Sequence, residues 1–125
     1  MIWHLVLLKP RPDLTANDRR GFVEAFRRAV TDIPTVRGVH FARRTTHGAG
    51  YEQHGPDAAD YLAVIEFDDR TGLETYLSHP AHDELGACFG RSLAAAMVYD
   101  FELLSNDGNV SEVLNHLIGD AGTAN

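Results

Sequence analysis

The stretch that decides the fold is the N-terminal apolar run, which reads Ile2-Trp3-His4-Leu5-Val6-Leu7-Leu8. Its length and composition predict a β-strand, in which successive side chains point to opposite faces of a sheet. The two predicted faces are Ile2, His4, Val6 and Leu8, and Trp3, Leu5 and Leu7. Because both faces are largely apolar, we expect this strand to be covered on both sides.

Two later segments show the same two-sided pattern. Residues 60–67 place Tyr61 and Ala63 on one face and Leu62 on the other. Residues 96–104 place Ala96 and Val98 on one face, and Met97, Tyr99, Phe101 and Leu103 on the other. A less regular strand is predicted over residues 36–46, followed by a long loop over residues 47–57 that is rich in glycine.

Helices are predicted between these strands. Thr15 and Asp18 form a capping-box variant at the start of the first helix, which carries an apolar stripe and stops at Pro34. A second, short helix begins at Asp69 or Thr71 and ends at the His79-Pro80 step, because a residue before proline avoids the α region. Pro80 opens a third helix that runs to about residue 93.

The resulting order is β-α-β-β-α-β, which predicts an α+β, ferredoxin-like domain with a four-stranded antiparallel sheet. Helices cover only one face of such a sheet, and a second copy of the chain is the commonest cover for the other. We therefore expect a homodimer through the second face, which carries Trp3, Leu5, Leu7, Met97 and Tyr99. The predicted domain spans residues 2–104. Residues 105–125 form an extension with an amphipathic helix over 110–118 and a stop at Gly119.

Charge and cysteine content narrow the classes of function. The chain has 125 residues and a formal net charge of −7, which argues against nucleic-acid and anionic-membrane surfaces. Its single cysteine, Cys88, excludes an intrachain disulfide and is expected to be a buried small residue. The N-terminal run has no basic leader and is too short to span a bilayer, so a cytoplasmic protein is predicted.

A family resemblance rests on two segments, Tyr76-Leu77-Ser78-His79-Pro80-Ala81-His82 and Val98-Tyr99-Asp100-Phe101-Glu102. Together with the opening strand and Ile33-Pro34-Thr35-Val36, they resemble the stress-responsive dimeric α/β-barrel family over residues 2–103. The resemblance implies a dimeric ferredoxin-like barrel. Within that family the motif is similar to that of a plant polyketide cyclase, which closes a poly-β-keto chain by aldol condensation without metal or organic cofactor.

The resemblance also implies site residues and shows where this chain departs. Tyr76 and His82 match the catalytic pair, and His4 and His79 match two further histidines. Tyr61 replaces a pocket histidine, Leu93 replaces a tryptophan, and Ala96 and Val98 replace larger apolar residues, so a different ligand is expected. The implied pocket is lined by Val6, Leu8, Tyr61, Ala63, His79, Leu93, Ala96 and Val98.

An aldol closure needs a base for a C–H beside a carbonyl and a donor for the developing oxyanion. His82 in the first turn of its helix is expected to stay neutral beside the helix dipole and to act as the base. Tyr76 is the expected donor and His4 a support. Each of these residues also has a structural interpretation: His82 bonded to a backbone carbonyl, Tyr76 and His4 in the core, and His79 as a helix cap.

No cofactor and no metal are predicted. The seven histidines include no H-E-x-x-H or paired-cysteine pattern, and the spacing of His79 and His82 alone is weak. The sequence therefore favours a cofactor-independent enzyme that acts on a carbonyl-rich small molecule. Two alternatives stay open: a non-catalytic, stress-responsive dimer that binds a ligand, and a cofactor-free monooxygenase or isomerase on the same barrel.

Overall fold

The computed structural model describes residues 1–55 and 59–123, and of residues 120–123 it describes only the backbone. Four strands and four α-helices follow one another in the chain, with a short 3-10 helix at Gly50–Gln53. They are β1 Ile2–Pro10, α1 Ala16–Asp32, β2 Val36–Arg43, β3 Tyr61–Phe67, α2 Arg70–Ser78, α3 Pro80–Ser92, β4 Leu93–Glu102 and α4 Val110–Thr123. Pro56 and Asp57 of the predicted loop lie outside the described residues.

The four strands form one antiparallel sheet in the order β2-β3-β1-β4. β1 lies at the centre because its residues pair on one side with β3 and on the other with β4. His4, for example, is opposite Ile65 on β3 and opposite Asp100 on β4. Since directly opposed residues point to the same face, the pairing register determines which side chains meet. This β-α-β-β-α-β arrangement is the ferredoxin-like α+β fold that the sequence predicts.

The capping chemistry predicted for the first two helices is confirmed. Thr15 accepts a hydrogen bond from the N–H of Asp18, whose carboxylate accepts from the N–H of Thr15. Asp69 is the cap of α2 and accepts from the N–H of Gly72 at 2.8 Å. The helices thus begin where their local sequences stabilise an N-terminus.

The predicted boundaries of β2, β4 and α4 are wrong. β2 ends at Arg43 rather than at residue 46. β4 begins at Leu93 rather than Ala96 and ends at Glu102, because its first residues pair with the end of β1; Leu93 therefore belongs to the strand. Gly119 does not stop α4, which continues to Thr123.

The helices α1, α2 and α3 cover one face of the sheet, and the core lies beneath them. Val6, Ile65 and Phe67 from the sheet pack with Phe26 and Ala29 of α1, all of them buried. Cys88 is buried in the same core, as predicted. The helices leave the edge strand β4 partly uncovered, and Val98 on its helix-facing side is exposed.

Among the residues that the structure describes, no layer of helices covers the opposite face of the sheet. Trp3 is 37% exposed, Tyr99 49% and Phe101 52%, although all three are large and apolar. Leu5 and Leu7 lie between them on the same face. In the part of the chain that the structure describes, no helix is long and apolar enough to cross a membrane.

Candidate functional site

A break between two helices positions the motif that spans residues 76–82. The backbone N–H of His79 donates to the carbonyl of Tyr76 at 3.2 Å, which closes α2. Pro80 then starts α3, and the N–H of Ala81 donates to Nδ1 of His79 at 3.0 Å. His79 is therefore the N-cap of the following helix, and only its Nε2 is left for a ligand.

Tyr76 and His82 contact each other across this break, and His4 of β1 completes a group that we call the ring cluster. The Tyr76 ring centroid lies 4.9 Å from that of His82 and 5.7 Å from that of His4, both in edge-to-face geometry. Tyr76 also packs at 5.2 Å against Phe67 of β3. Three residues from distant parts of the chain thus converge at one point between the sheet and α3.

The Tyr76 side chain is 1% exposed, and burial raises the pKa of its phenol well above the ordinary value of 10. The hydroxyl makes no hydrogen bond to any residue that the structure describes. Every fully enclosed side-chain nitrogen or oxygen among those residues does have a partner. It follows that the Tyr76 hydroxyl is not fully enclosed, and it is a protonated donor without an acceptor among the described residues.

His82 is half-buried at the start of α3, and its pKa lies below the ordinary 6.5. Burial is the main cause, and the positive charge of a protonated His4 adds to it. Asp83 and a backbone hydrogen bond at Leu77 act in the opposite direction. A lowered pKa favours the neutral imidazole, and desolvation is the leading cause of the shift.

Asp100 is a functional candidate that the sequence reasoning missed. Its Oδ1 lies 2.5 Å from Nδ1 of His4, and His4 is buried whereas Asp100 is half exposed. Because a carboxylate only accepts, Nδ1 of His4 carries the proton in this contact. The signal was present in the sequence: Asp100 follows Ala96 and Val98 at the spacing of two that a shared strand face requires, and it is the first charge on that face.

A groove of about 1020 Å³ lies between α1 and the end of the sheet where β1 finishes. Of the predicted pocket residues, Leu8, Tyr61, Ala63 and Leu93 line this groove, whereas Val6, His79, Ala96 and Val98 do not. The ring cluster does not line it either. On the helix-facing side of β1, the buried side chain of Val6 separates His4 from Leu8.

A smaller pocket of about 330 Å³ opens on the opposite side of the ring cluster, between α2 and β4. Asp100 is part of its wall, together with Leu73 and Leu77 of α2. The carboxylate that holds His4 is therefore reached from solvent through this pocket. Among the described residues, no three His, Cys, Asp or Glu side chains gather as a protein metal site would require.

The fold and the ring cluster define a class, the small ferredoxin-like α+β domain with a histidine and tyrosine site between sheet and helices. The family model of the Stress responsive A/B Barrel Domain matches residues 2–103, and the chain belongs to that family. The match ends one residue after β4, so α4 lies outside the part that family members share.

Three of the known proteins that are similar to this chain are informative here. Olivetolic acid cyclase of Cannabis sativa is 19% identical over 98 residues, which are 78% of this chain and 92% of that protein. A dimeric ferredoxin-like protein of unknown function from Thermobifida fusca shares 22% identity, with a TM-score of 0.62 over 82% of this chain and 90% of its own. Hydroxynitrile lyase of Passiflora edulis shares 11% identity, with a TM-score of 0.65 over 82% of this chain and 92% of its own.

Proposed function

We propose that this protein is a small cofactor-independent enzyme that makes or breaks a carbon–carbon bond next to a carbonyl group. His82 is the base, Tyr76 the hydrogen-bond donor and His4 the support. One observation carries the proposal: the ring of buried Tyr76 contacts two histidines, and its hydroxyl has no acceptor among the described residues. An unpaired donor in a low-dielectric site is costly unless something else uses it.

The chemistry of an aldol closure follows from these groups. Neutral His82 takes a proton from a carbon beside a carbonyl, and the C–H electron pair becomes an enolate. The enolate carbon attacks the carbon of a second carbonyl group. The π electrons of that carbonyl move onto its oxygen and give an alkoxide. Tyr76 donates a hydrogen bond to the oxygen on which charge develops. The protonated His82 then returns its proton to the alkoxide, so atoms and charge balance.

His4 and Asp100 position this pair. The carboxylate fixes the His4 ring through Nδ1, and the ring edge contacts Tyr76. Such an arrangement orients the phenol and leaves Nε2 of His4 facing the interior of the site. Asp100 therefore acts through His4 as a positioning residue in this proposal.

In this proposal the groove holds the part of the substrate that lies farthest from the reacting carbons, because the buried side chain of Val6 separates the groove from the ring cluster. Leu8, Ala63 and Leu93 present aliphatic surface there, and Tyr61 adds a hydroxyl at the rim. Roles for Val6, His79, Ala96 and Val98 in substrate contact stay predictions, and Ala96 and Val98 would act from the exposed edge of β4. A partly apolar, carbonyl-rich small molecule fits this combination of wall and base.

The similar enzymes support the reaction class. Closure of a polyketide by an aldol step and cleavage of a hydroxynitrile both change a bond at a carbonyl carbon. The names of the Cannabis sativa and Passiflora edulis proteins therefore describe related chemistry on related folds. At these levels of identity they support the class of reaction but not a particular substrate.

The same proposal includes a homodimer through the bare face of the sheet. Trp3, Leu5, Leu7, Met97 and Tyr99 form its expected interface, and the similar Thermobifida fusca protein is dimeric. Within this proposal residues 2–104 are the enzymatic domain and residues 105–125 an extension. The buried, single Cys88 supports our prediction of a reducing, cytoplasmic compartment.

The test uses two probes: a synthetic linear 3,5,7-trioxoacyl thioester, scored for its aldol product against spontaneous lactone, and mandelonitrile, scored for release of benzaldehyde. We expect turnover of at least one probe above background. His82→Ala and Tyr76→Phe should each lower that rate by roughly 10²- to 10⁴-fold. The matched controls His116→Ala and Tyr51→Phe, at exposed positions, should leave it unchanged.

A second candidate function, a ligand-binding dimer without catalysis, is favoured by the separation between the groove and the ring cluster. In that case an apolar ligand occupies the groove and the cluster is part of the core. No turnover of either probe, together with groove binding that His82→Ala and Tyr76→Phe leave intact, would favour it over the enzyme.

A further inference from the structure

The helix α4 carries an apolar stripe that the described residues of the subunit leave largely exposed. Its members, Val110, Val113, Leu114, Leu117 and Ile118, recur at helical spacing and are between 37% and 75% exposed. A helix of this length is marginal in water unless a partner buries its apolar side. An apolar surface of this chain with matching size and charge is therefore a candidate partner for α4.

The groove between α1 and the sheet is an apolar surface of matching size. Val23 is 65% exposed, Phe41 63% and Tyr61 44%, and all three line it. Along α1 the groove extends from Arg19 to Val30, about 16 Å at the helical rise of 1.5 Å per residue. The stripe of α4 from residue 110 to residue 118 is about 12 Å long on the same basis.

The charges of the two surfaces are complementary. The groove lining includes four arginines, Arg11, Arg19, Arg27 and Arg43, and one acidic residue, Asp60. Asp13 and Glu24 already pair with Arg11 and Arg27, so part of this positive charge is compensated within the subunit. The segment 105–125 has three acidic residues and no lysine or arginine. Opposite charge around an apolar contact favours this pairing over the pairing of two acidic tails with each other.

The position of α4 excludes the groove of its own subunit. The first residue of β4, Leu93, lies in the groove, and the ten-residue strand carries the chain about 30 Å away from it. Leu103 then bonds the carbonyl of Met1 at the far end of the sheet. The linker does not turn back, because Ser105 accepts from the N–H of Asn109 at 2.8 Å in a compact turn that includes Gly108 at φ +75°.

We propose that α4 of one copy binds in the groove between α1 and the sheet of a second copy. The stripe covers the exposed walls at Val23 and Phe41, and the acidic tail lies among the groove arginines. In a two-fold dimer each subunit then supplies a tail and receives one. The proposal does not require a catalytic ring cluster, but a docked α4 competes with the apolar part of any substrate for the groove, because Leu8 and Ala63 line the same surface as Val23 and Phe41.

Cross-linking between differently tagged full-length chains tests the contact. Both chains carry Cys88→Ala, so that the native thiol does not react. One chain also carries Leu117→Cys on α4, and the other carries Val23→Cys in the groove. The two chains are co-expressed and treated with a short bismaleimide. We expect most dimers that contain one chain of each kind to form the mixed adduct, in which the cysteine at position 117 of one chain is linked to the cysteine at position 23 of the other. The control Asn115→Cys, off the stripe of α4, should give at least a tenfold lower yield with the Val23→Cys partner.

The other occupants give different products. A chain with both Val23→Cys and Leu117→Cys that cyclises within itself, without the mixed adduct, would show the tail in its own groove and overturn the proposal. An adduct between two Leu117→Cys chains in preference to the mixed one would show tail-to-tail pairing and also overturn it. Absence of all adducts in folded protein, verified by circular dichroism, would do the same.

A second measurement needs no new cysteine. Leu117→Asp should open the groove and raise the fluorescence of 8-anilinonaphthalene-1-sulfonate several-fold, whereas Asn115→Asp should not. An unchanged signal in Leu117→Asp contradicts the docking of α4. If Leu117→Asp loses the tail contact but remains dimeric, the interface through the sheet is sufficient for dimerisation. The catalytic role of His82 is tested separately, by the turnover assay.

Discussion

Leu5 and Val6 are neighbours on β1 with similar side chains, and they point to opposite sides of one sheet. Val6 is 3% exposed beneath the helices, whereas Leu5 lies on the face that carries the exposed rings of Trp3 and Tyr99. The helix-covered face contains the core and the ring cluster. The comparison teaches that apolar composition alone does not identify a core: the two faces differ in what covers them.

The largest expected effect compares a neighbouring pair on β3. Ile65 is fully buried on the helix-covered face, so Ile65→Ala should lower the free energy of unfolding by about 2–5 kcal/mol at any protein concentration. Val64 faces the bare side, and Val64→Ala should cost less in dilute protein and more as concentration rises, because association buries it. Chemical denaturation at two protein concentrations measures both effects. If both variants lose the same free energy of unfolding at each concentration, the two faces do not differ in the way proposed.

A smaller effect is expected at the edge of the ring cluster. Asp100→Asn weakens a charge-assisted hydrogen bond to buried His4 and should cost about 1–2 kcal/mol of stability, since Asp100 is half exposed. It should also shift the ¹⁵N resonances of His4 as its tautomer is released. Glu102→Gln, two residues along the same strand, is the control and should stay within about 0.5 kcal/mol of the parent. If Asp100→Asn and Glu102→Gln change the stability and the His4 resonances equally, Asp100 does not position His4.

The pH dependence of His82 should be the smallest effect. Its folded pKa lies below the unfolded value of 6.5, so the folded state takes up its proton later as pH falls. Stability should therefore decrease below pH 6.5 and level off below the folded pKa, and His82→Gln should show less of this decrease. For the same reason the apparent pKa of the acid limb of the kcat/KM profile should lie below 6.5. An apparent pKa at or above 6.5 would contradict the assignment of desolvated His82 as the base.

Much of the fold was predictable because local signals agree with it. The alternation of β1, the capping box at Thr15 and the His79-Pro80 break each use short-range chemistry, and the structure confirms them. The convergence of His4 with Tyr76 and His82 was different. Periodicity cannot bring together residues more than seventy positions apart, so that expectation came from the family resemblance.

The errors have tertiary causes. Residues 93–95 have helix-forming composition, yet they belong to β4 because the end of β1 offers them a strand partner. Gly119 lies within α4, where a glycine costs about 1 kcal/mol without ending the helix. The separation of the groove from the ring cluster depends on the packing of Val6, which the sequence pattern does not encode.

The most direct measurement of the central claim is the molar mass in dilute solution, by sedimentation equilibrium at micromolar concentration. If a second copy covers the bare face, the protein should sediment at twice the chain mass of 13.8 kDa, and Leu5→Glu should yield folded chains of the single mass. A parent protein that is a stable 13.8 kDa monomer, with Trp3 and Leu5 open to water, would contradict the account.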